Sequence, residues 1–313
     1  MIDRRTFLAA TGALFSSARP LHAASSAGPG GAAATSAAAT SAAATGAAFP
    51  HGFRWGVATA GHQVEGNNTA SDMWLLEHVT PTAFKEPSGD ACNSFELWRQ
   101  DLDLVRSLGL NSYRFSVEWA RIEPEPGEYS IAMLDHYRRM VEGCRERGLT
   151  PVVTFNHFTC PRWFGARGGW LAKDSSDRFA RYCERVARHM AAHMGYATTL
   201  NEPDLTRILA TADLPPALRE ADRAMRAAAA RACNTERFVP ANSIDPQLAE
   251  PLLAPMIAAH RAGRNAIKNV RPDLPVGVSL AMFDDEAVGA DSIRDRMRSQ
   301  MYGAWLDAVK GDD

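Results

Sequence analysis

The sequence lacks the signatures of several common protein classes. It contains no run of about 18 consecutive apolar residues, so no membrane span is predicted. Its formal net charge is -2, and basic residues are interspersed with acidic ones, which leaves no basic stripe for a nucleic acid. No glycine-rich phosphate loop follows the first apolar run, because GVATAGHQVEG differs from GxGxxG. The function must therefore be sought outside these classes.

Cysteine is scarce and has no metal-binding spacing. The five cysteines form no CxxC pair, and their number is odd; they are Cys92, Cys144, Cys160, Cys183 and Cys233. This pattern predicts neither a disulfide framework nor a zinc site, although one disulfide remains compatible with the count. His189 and His193 are spaced for zinc, but Met190 stands where a zinc protease needs glutamate, so we attribute both to a helix terminus. We predict no metal and no cofactor.

The first 48 residues predict a targeting signal followed by a flexible linker. Arg4 and Arg5 precede a weakly apolar segment, and a small residue, Ala23, offers a cleavage point. Residues 1–23 are interpreted as a twin-arginine signal peptide, with an ordinary Sec signal as the alternative, so we expect export to the periplasm or secretion by a bacterium. Residues 24–48 are rich in Ala, Thr and Ser and are interpreted as a flexible linker.

Residues 49–313 predict an α/β domain. Short apolar runs rich in β-branched or aromatic residues predict strands at 53–60, 111–117, 151–156, 196–201 and 275–282. Amphipathic segments predict helices at 94–108, 131–147, 174–194, 249–269 and 290–309, with an extra helix at 214–232. Gly109 and Gly148 follow two of these helices, as C-terminal cap glycines do. Alternating strands and helices indicate a parallel sheet covered by helices.

Two architectures fit this alternation, an open doubly wound sheet and a (β/α)8 TIM barrel. Polar and charged residues cluster where predicted strands end, and a barrel places its catalytic residues there, so we favour the barrel. Only about five of the eight βα units are found in about 265 residues, and eight would need about 420 at the same rate. We expect a partial barrel and interpret the chain as a truncated one.

The Asn201-Glu202-Pro203 stretch ends the fourth predicted strand. Burial at a barrel mouth would raise the pKa of a carboxyl enough for it to donate a proton, and the neighbouring amide would bind a substrate hydroxyl. The alternative is that Asn201 and Glu202 cap the next helix. Taken alone, the stretch does not decide between these interpretations.

Several ordered motifs resemble family 1 glycoside hydrolases, the β-glucosidase and β-galactosidase group. The resemblance runs from Phe53 to Pro203 and is carried by FRWGVATAGHQVEG, GDACNSFELWRQDLDLVRSLGLNSYRFSVEWARIEPEPGEY, PVVTFNHF, GGWL and TLNEP. It implies a retaining O-glycosidase that acts on β-linked sugars. The implied partner is a small carbohydrate or glycoside, and the oligomeric state is left open.

The resemblance also implies roles for single residues. Glu202 matches the general acid/base, and Asn201 matches the residue that holds the 2-hydroxyl of the sugar. Gln63 and His157 match side chains that bind the more distant hydroxyls, and Arg114 matches the arginine that supports the nucleophile. The alternatives are a loop residue for Gln63, a core histidine for His157 and a structural ion pair of Arg114 with Glu118.

Departures from the family pattern limit these expectations. Phe158 replaces a tryptophan and His62 a tyrosine, and the pattern fades after Pro203. The Thr/Ser-Glu-Asn-Gly motif that carries the family's nucleophile does not occur, so we expect no enzymatic hydrolysis by this chain alone. The alternatives are a catalytically silent protein that binds a sugar or another partner, and a retaining barrel glycosidase of another family.

Overall fold

A computed structural model describes residues 49–212 and 214–310. The predicted signal peptide and linker, residues 1–23 and 24–48, lie outside the described residues. The chain from Arg54 onward forms one compact unit. Just before it, the rings of Phe49 and Phe53 lie 4.8 Å apart, centre to centre.

Five strands form one parallel sheet in the order β1-β2-β3-β4-β5. The strands are β1 (Gly56–Ala58), β2 (Ser112–Ser116), β3 (Thr150–Asn156), β4 (Tyr196–Asn201) and β5 (Val276–Ser279). Each strand pairs with the next one along the chain. A doubly wound sheet instead reverses its strand order at a switch point. The order therefore matches a (β/α)8 barrel of which five βα units are described, and the fold prediction is confirmed.

Helices connect the strands and cover the sheet. Those before β3 are α1 (Gly61–Val64), α2 (Asp72–His78), α3 (Ser94–Ser107), α4 (Trp119–Ile122) and α5 (Ile131–Glu146). Those between β3 and β5 are α6 (Arg162–Ala166), α7 (Ser175–Met190), α8 (Leu205–Thr211), α9 (Pro216–Ala232) and α10 (Pro246–Val270), with short 3-10 turns at Gly169–Leu171 and Ala191–His193. After β5 come α11 (Arg294–Arg298), a π-helical turn (Ser299–Gly303) and α12 (Ala304–Ala308).

Local signals set most of these bounds. Helix α3 ends just before Gly109, which adopts φ 76° and donates its N–H to the carbonyl of Arg106. This left-handed conformation is cheap only for glycine, so the predicted cap is confirmed. The predicted first strand, 53–60, is too long, because a helix begins at Gly61 and only Gly56–Ala58 pair with β2.

The predicted helix at 290–309 is wrong as a single element. A π-helical turn at Ser299–Gly303 separates α11 from α12. The turn carries Met301 and Tyr302, which are buried in a small apolar cluster with Ile208. Burial of these two side chains goes with a local departure from the 3.6-residue period of an α-helix. The hydrophobic pattern of the segment did not indicate that departure.

An aromatic cluster packs the helices against the central strands. Trp119, at the start of α4, is fully buried and stacks on Tyr182 of α7, with ring centres 4.9 Å apart. The hydroxyl of Tyr182 donates to the carbonyls of Val117 and Phe155, at 3.1 and 3.0 Å. These bonds satisfy polar groups that burial would otherwise leave unpaired, and they fix the ends of β2 and β3.

None of the helices in the described ranges is both long enough and apolar enough to cross a membrane. All five cysteines carry free thiols. Cys144, Cys160 and Cys183 are buried, and burial raises the pKa of each thiol. Such thiols behave as small apolar side chains.

Candidate active site

The carboxyl ends of β2, β3 and β4 bring the polar side chains of the site together. The strands are parallel, with Arg114 opposite Val152, Asn156 opposite Leu200 and, after a register shift in β4, Asn201 opposite Ser279. Residues that follow successive strands therefore meet at the same edge of the sheet. Barrel proteins build their sites at this edge.

Arg114 is the centre of the cluster. Its Nη1 donates to Oδ1 of Asn201 at 2.7 Å, which joins β2 to β4 across 87 residues of sequence. The positive charge of Arg114 also acts on Glu202 and on His157. Glu118 is not its partner, so the alternative of an Arg114–Glu118 ion pair is not what the structure contains. Arg114, Asn201, Glu202 and His157 thus form one electrostatic group.

Glu202 is a half-buried carboxyl with a strained backbone. Burial raises its pKa above the ordinary value, and the nearby Arg114 limits the rise. Its φ is 46°, a left-handed conformation that is uncommon outside glycine and costs about 1 kcal/mol or more. Its N–H donates to the carbonyl of Ser279 at 2.6 Å, which anchors the turn to β5. Pro203 then ends the strand ladder, because proline has no N–H to donate.

His157 follows β3 and is buried. Burial and the charge of Arg114 lower its pKa to about 3, so the imidazole is neutral near pH 7. Its Nδ1 is buried and has no hydrogen-bond partner among the described residues. The preceding side chain, Asn156, donates from Nδ2 to the carbonyl of Thr159 at 2.7 Å and holds the turn. Phe158 adopts φ 67° with its ring edge-on to His157.

Gln63 lies on the short helix α1, after β1, and is exposed. In the described part of the chain its side chain makes no hydrogen bond to the other four site residues. The neighbouring His62 is buried instead and pairs with Glu77, Nε2 to Oε1, at 3.0 Å. The structure therefore gathers Arg114, His157, Asn201 and Glu202, and leaves Gln63 at the rim.

Glu118 forms a separate buried network that does not include Arg114. Its Oε2 accepts from Asn68 Nδ2 at 2.8 Å and from Thr159 Oγ1 at 2.6 Å, and its Oε1 accepts from Ser116 at 3.2 Å. A carboxylate with this many donors is held in place by them. Glu118 is thus held in place by the packing of the strand ends.

Asp204 is a buried acidic group near Glu202 that no motif in the sequence indicated. It is fully buried, Oδ1 accepts from the N–H of Ala281 at 3.1 Å, and Oδ2 has no partner among the described residues. Burial, with a smaller contribution from the charge of Glu202, raises the pKa of Asp204 to about 7. The one available signal was a second acidic residue two positions after Glu202.

The helical histidines that were set aside as zinc ligands pair with acids of α5. His189 Nε2 lies 2.8 Å from Asp135 Oδ1, and His193 Nε2 lies 3.6 Å from Glu142 Oε1. Within residues 49–212 and 214–310, no group of three or more histidine, cysteine or acidic side chains is arranged to hold a metal ion.

The fold and the cluster together define a parallel βα barrel whose site is built at the carboxyl ends of its strands. A family model described as "Glycosyl hydrolase family 1" matches residues 45–297, and the chain belongs to this family. The five motifs and the barrel order of the strands agree with that membership.

Relatives match the chain over about half of its length. Beta-glucosidase A of Thermotoga maritima is 36% identical over 168 residues, which are 51% of this chain and 38% of that protein. Thermostable beta-glucosidase B of Thermobispora bispora is 38% identical over 169 residues, which are 52% of this chain and 36% of that protein.

Solved structures match over a longer stretch. A beta-glucosidase named 1317, in its apo form, superposes with a TM-score of 0.77 and 40% identity, over 82% of this chain and 63% of that one. The beta-glycosidase BGL167 superposes with a TM-score of 0.77 and 47% identity, over 85% of this chain and 64% of that one. The chain thus spans less than two thirds of these proteins.

Proposed function

We propose that the cluster is the acid/base half of a retaining β-glycosidase site, with Glu202 as the general acid/base and a small β-linked glycoside as substrate. The observation that carries the proposal is the hydrogen bond from Arg114 to Asn201, which lies beside a carboxyl of raised pKa. The beta-glucosidases among the relatives support the same class of reaction.

Glu202 suits the acid role because its charged form is disfavoured. A carboxyl that protonates the glycosidic oxygen must hold its proton near the working pH, and desolvation raises the pKa of Glu202 in that direction. Arg114 opposes the rise, so the carboxyl remains able to ionise. After the first step the same carboxylate would accept a proton from the attacking water, as a retaining mechanism requires.

Asn201, His157 and Gln63 would hold the sugar. Oδ1 of Asn201 is engaged by Arg114, which leaves the two N–H groups of its amide for the 2-hydroxyl. The neutral imidazole of His157, with Nδ1 unpaired among the described residues, suits a hydroxyl that both donates and accepts. The amide of Gln63 is exposed and offers donors and an acceptor at the rim.

The nucleophile is the missing part of the proposal. A retaining glycosidase needs a second carboxylate about 5–5.5 Å from the acid/base, and the 313 residues contain no Thr/Ser-Glu-Asn-Gly motif to supply it. We infer that these residues alone do not hydrolyse glycosides at an enzymatic rate. Arg114 would support the nucleophile by favouring its ionised form.

The gene beyond codon 313 provides the first test. A continuing frame with a Glu-Asn-Gly motif supports the enzyme, and its product should hydrolyse aryl β-glucosides with retention of configuration. An authentic stop codon directly after codon 313 supports the second candidate, a catalytically silent sugar-binding protein. The absence of the motif from the 313 residues also favours this candidate. In that case sugar binding by the 313-residue chain, measured by calorimetry, should be lost in Asn201→Ala.

The acid role has a sharper test in an active product. Glu202→Gln should lower turnover of substrates with poor leaving groups by about 10²–10⁴-fold, since these need protonation, while substrates with good leaving groups should lose far less in the glycosylation step. Glu86→Gln, the same change at an exposed position, should leave both rates unchanged. Equal losses on both substrate types in Glu202→Gln would contradict the acid role.

Export by the twin-arginine route is a further part of the proposal. The paired Arg4 and Arg5 and the weakly apolar segment after them support it. Replacing both arginines with lysine should retain the precursor in the cytoplasm, as seen by cell fractionation. Unchanged export would favour the Sec alternative.

A further inference from the structure

One cavity is lined by residues other than those of the strand-end cluster. It has a volume of about 350 Å³ and lies between the loop before α5, helix α6 and the first turns of α7. None of the five candidate sugar-site residues lines it. This volume is at the lower end of the range for small-molecule sites.

Three arginines line the cavity, and their charges are incompletely neutralised. They are Arg167, Arg178 and Arg181, and the lining acids are Glu123 and Asp174. Over the described residues, the guanidinium groups of Arg167 and Arg181 form no hydrogen bond or ion pair. The lining therefore carries one positive charge in excess, since it holds three arginines and two acids.

Both lining acids are already engaged. The carboxylate of Glu123 is buried and accepts from Trp119 Nε1 at 2.6 Å and from the N–H of Gly127 at 2.8 Å. Oδ2 of Asp174 accepts from Nε and Nη2 of Arg178, at 2.7 and 2.6 Å. Neither acid bonds to Arg167 or Arg181.

Arg178 adds a buried donor with no acceptor. Its Nε and Nη2 are used by Asp174, but its Nη1 is buried and has no hydrogen-bond partner among the described residues. A buried donor left unpaired costs about 1–3 kcal/mol. The planar guanidinium fork fits the two oxygens of a carboxylate or phosphate.

The wall of the cavity is aromatic and fixed. The indole of Trp163 donates from Nε1 to the carbonyl of Glu123 at 2.9 Å, which holds the ring in place. The guanidinium carbons of Arg167 and Arg178 lie 5.8 and 5.7 Å from its centre. Trp163 is therefore an apolar ring with two cations near it, and it lines the cavity although it is only 7% exposed.

We propose that this cavity binds a small molecule bearing a phosphate or carboxylate group, with the oxyanion held by Arg167, Arg178 and Arg181 and its apolar part against Trp163. The site is separate from the cluster around Glu202, so it does not depend on glycoside hydrolysis. Arginine side chains recognise phosphate and carboxylate groups in the same way, so a separate probe for each group is needed to distinguish them.

Isothermal titration calorimetry of the 313-residue chain with inorganic phosphate and with benzoate tests the proposal. We expect saturable binding of at least one probe at one site, and no binding of the neutral benzamide. Phosphate alone would identify a phosphate ligand, benzoate alone a carboxylate ligand, and both a general oxyanion site. Failure of both probes to bind saturably overturns the proposal.

Variants locate the binding. Arg181→Ala and Arg167→Ala should each weaken binding by about tenfold or more, because each removes a charged donor. Arg181→Lys keeps the charge but loses the fork, and it should give an intermediate loss. Arg188→Ala is the matched control, since it removes an exposed arginine of the same helix that does not line the cavity. Equal weakening by Arg188→Ala, or none by the other variants, would overturn the assignment.

Discussion

The central strands of the sheet and its outer strands differ in burial. In β3, Val153 and Phe155 are fully buried, and five of the six residues of β4 are buried. By contrast, all three residues of β1 are exposed, and only Val276 is buried in β5. A central strand is held by a neighbour on each side and by helices over its face, so its apolar run corresponds closely to its paired length.

The same contrast separates the site residues. Asn201 ends a central strand, Glu202 and His157 follow central strands, and Arg114 ties all three into the cluster. Gln63 instead follows the outer strand β1 and stays exposed. The chemistry of the site is therefore concentrated where the packing is tightest. If stability is distributed in the same way, substitutions behind the central strands should cost more than substitutions at the outer strands.

The largest effect is expected in the aromatic cluster behind the central strands. Trp119→Ala should lower the free energy of unfolding by about 3–5 kcal/mol, because it leaves a large cavity in a fully buried cluster. Trp55→Ala, just before β1, should cost less than about 1 kcal/mol, since its side chain is 48% exposed. Urea denaturation of both variants gives the comparison, and similar losses would contradict it.

The next effect depends on pH and concerns Asp204, which links the ends of β4 and β5. Burial raises its pKa from the ordinary value of 3.8 to about 7, so the folded state binds the proton more tightly than the unfolded state. This group favours folding below about pH 4, and the benefit is lost as the pH rises through about 7, with a slope of up to about 1.4 kcal/mol per pH unit.

Asp204→Asn removes that dependence while keeping an oxygen for the N–H of Ala281. Its stability relative to the parent chain should therefore increase as the pH rises from about 4 to 7. Asp307→Asn removes an exposed carboxylate and should show no such trend. Unfolding curves at several pH values measure both, and a constant difference for Asp204→Asn would contradict the buried, neutral carboxyl.

The sequence predicted much of the fold because the decisive signals were local. The observed bounds of β4 match the predicted strand at 196–201. Helix α3 ends just before Gly109, which adopts a positive φ readily because it has no side chain. The polar residues at the strand ends selected the barrel correctly. The residue types at the strand ends were sufficient to predict where the site lies, because the carboxyl ends of parallel strands lie at the same edge of the sheet.

Long-range partners could not be predicted from residue types. Arg114 was given Glu118 as its alternative partner, four residues away, but it bonds to Asn201, 87 residues away. Asp204 is made unusual by its burial, and the N–H that it accepts belongs to Ala281, 77 residues later in the chain. Burial and pairing of this kind depend on the assembled sheet, and no periodicity in the sequence encodes them.

A matched pair of valines repeats the comparison within the sheet itself. Val153→Ala in β3 should cost about 2 kcal/mol, because two buried methyl groups are lost from a fully packed site. Val57→Ala in β1 should cost about 0.5 kcal/mol or less, since the side chain is 40% exposed. Equal costs would show that the outer strand β1 is as tightly packed as the central strand β3.

The smallest effect is expected in the other outer strand, and its sign is opposite. A Cβ built on Gly277 of β5 meets no atom within 4 Å, so Gly277→Ala should stabilise the fold by about 0.5 kcal/mol, because alanine has less freedom to lose on folding. Gly56→Ala in β1 is the contrast, since its Cβ would lie 2.6 Å from the carbonyl oxygen of Ser112. Thermal unfolding should therefore shift upward for the first variant and downward for the second. A downward shift for Gly277→Ala would mean that β5 is packed as closely as the central strands.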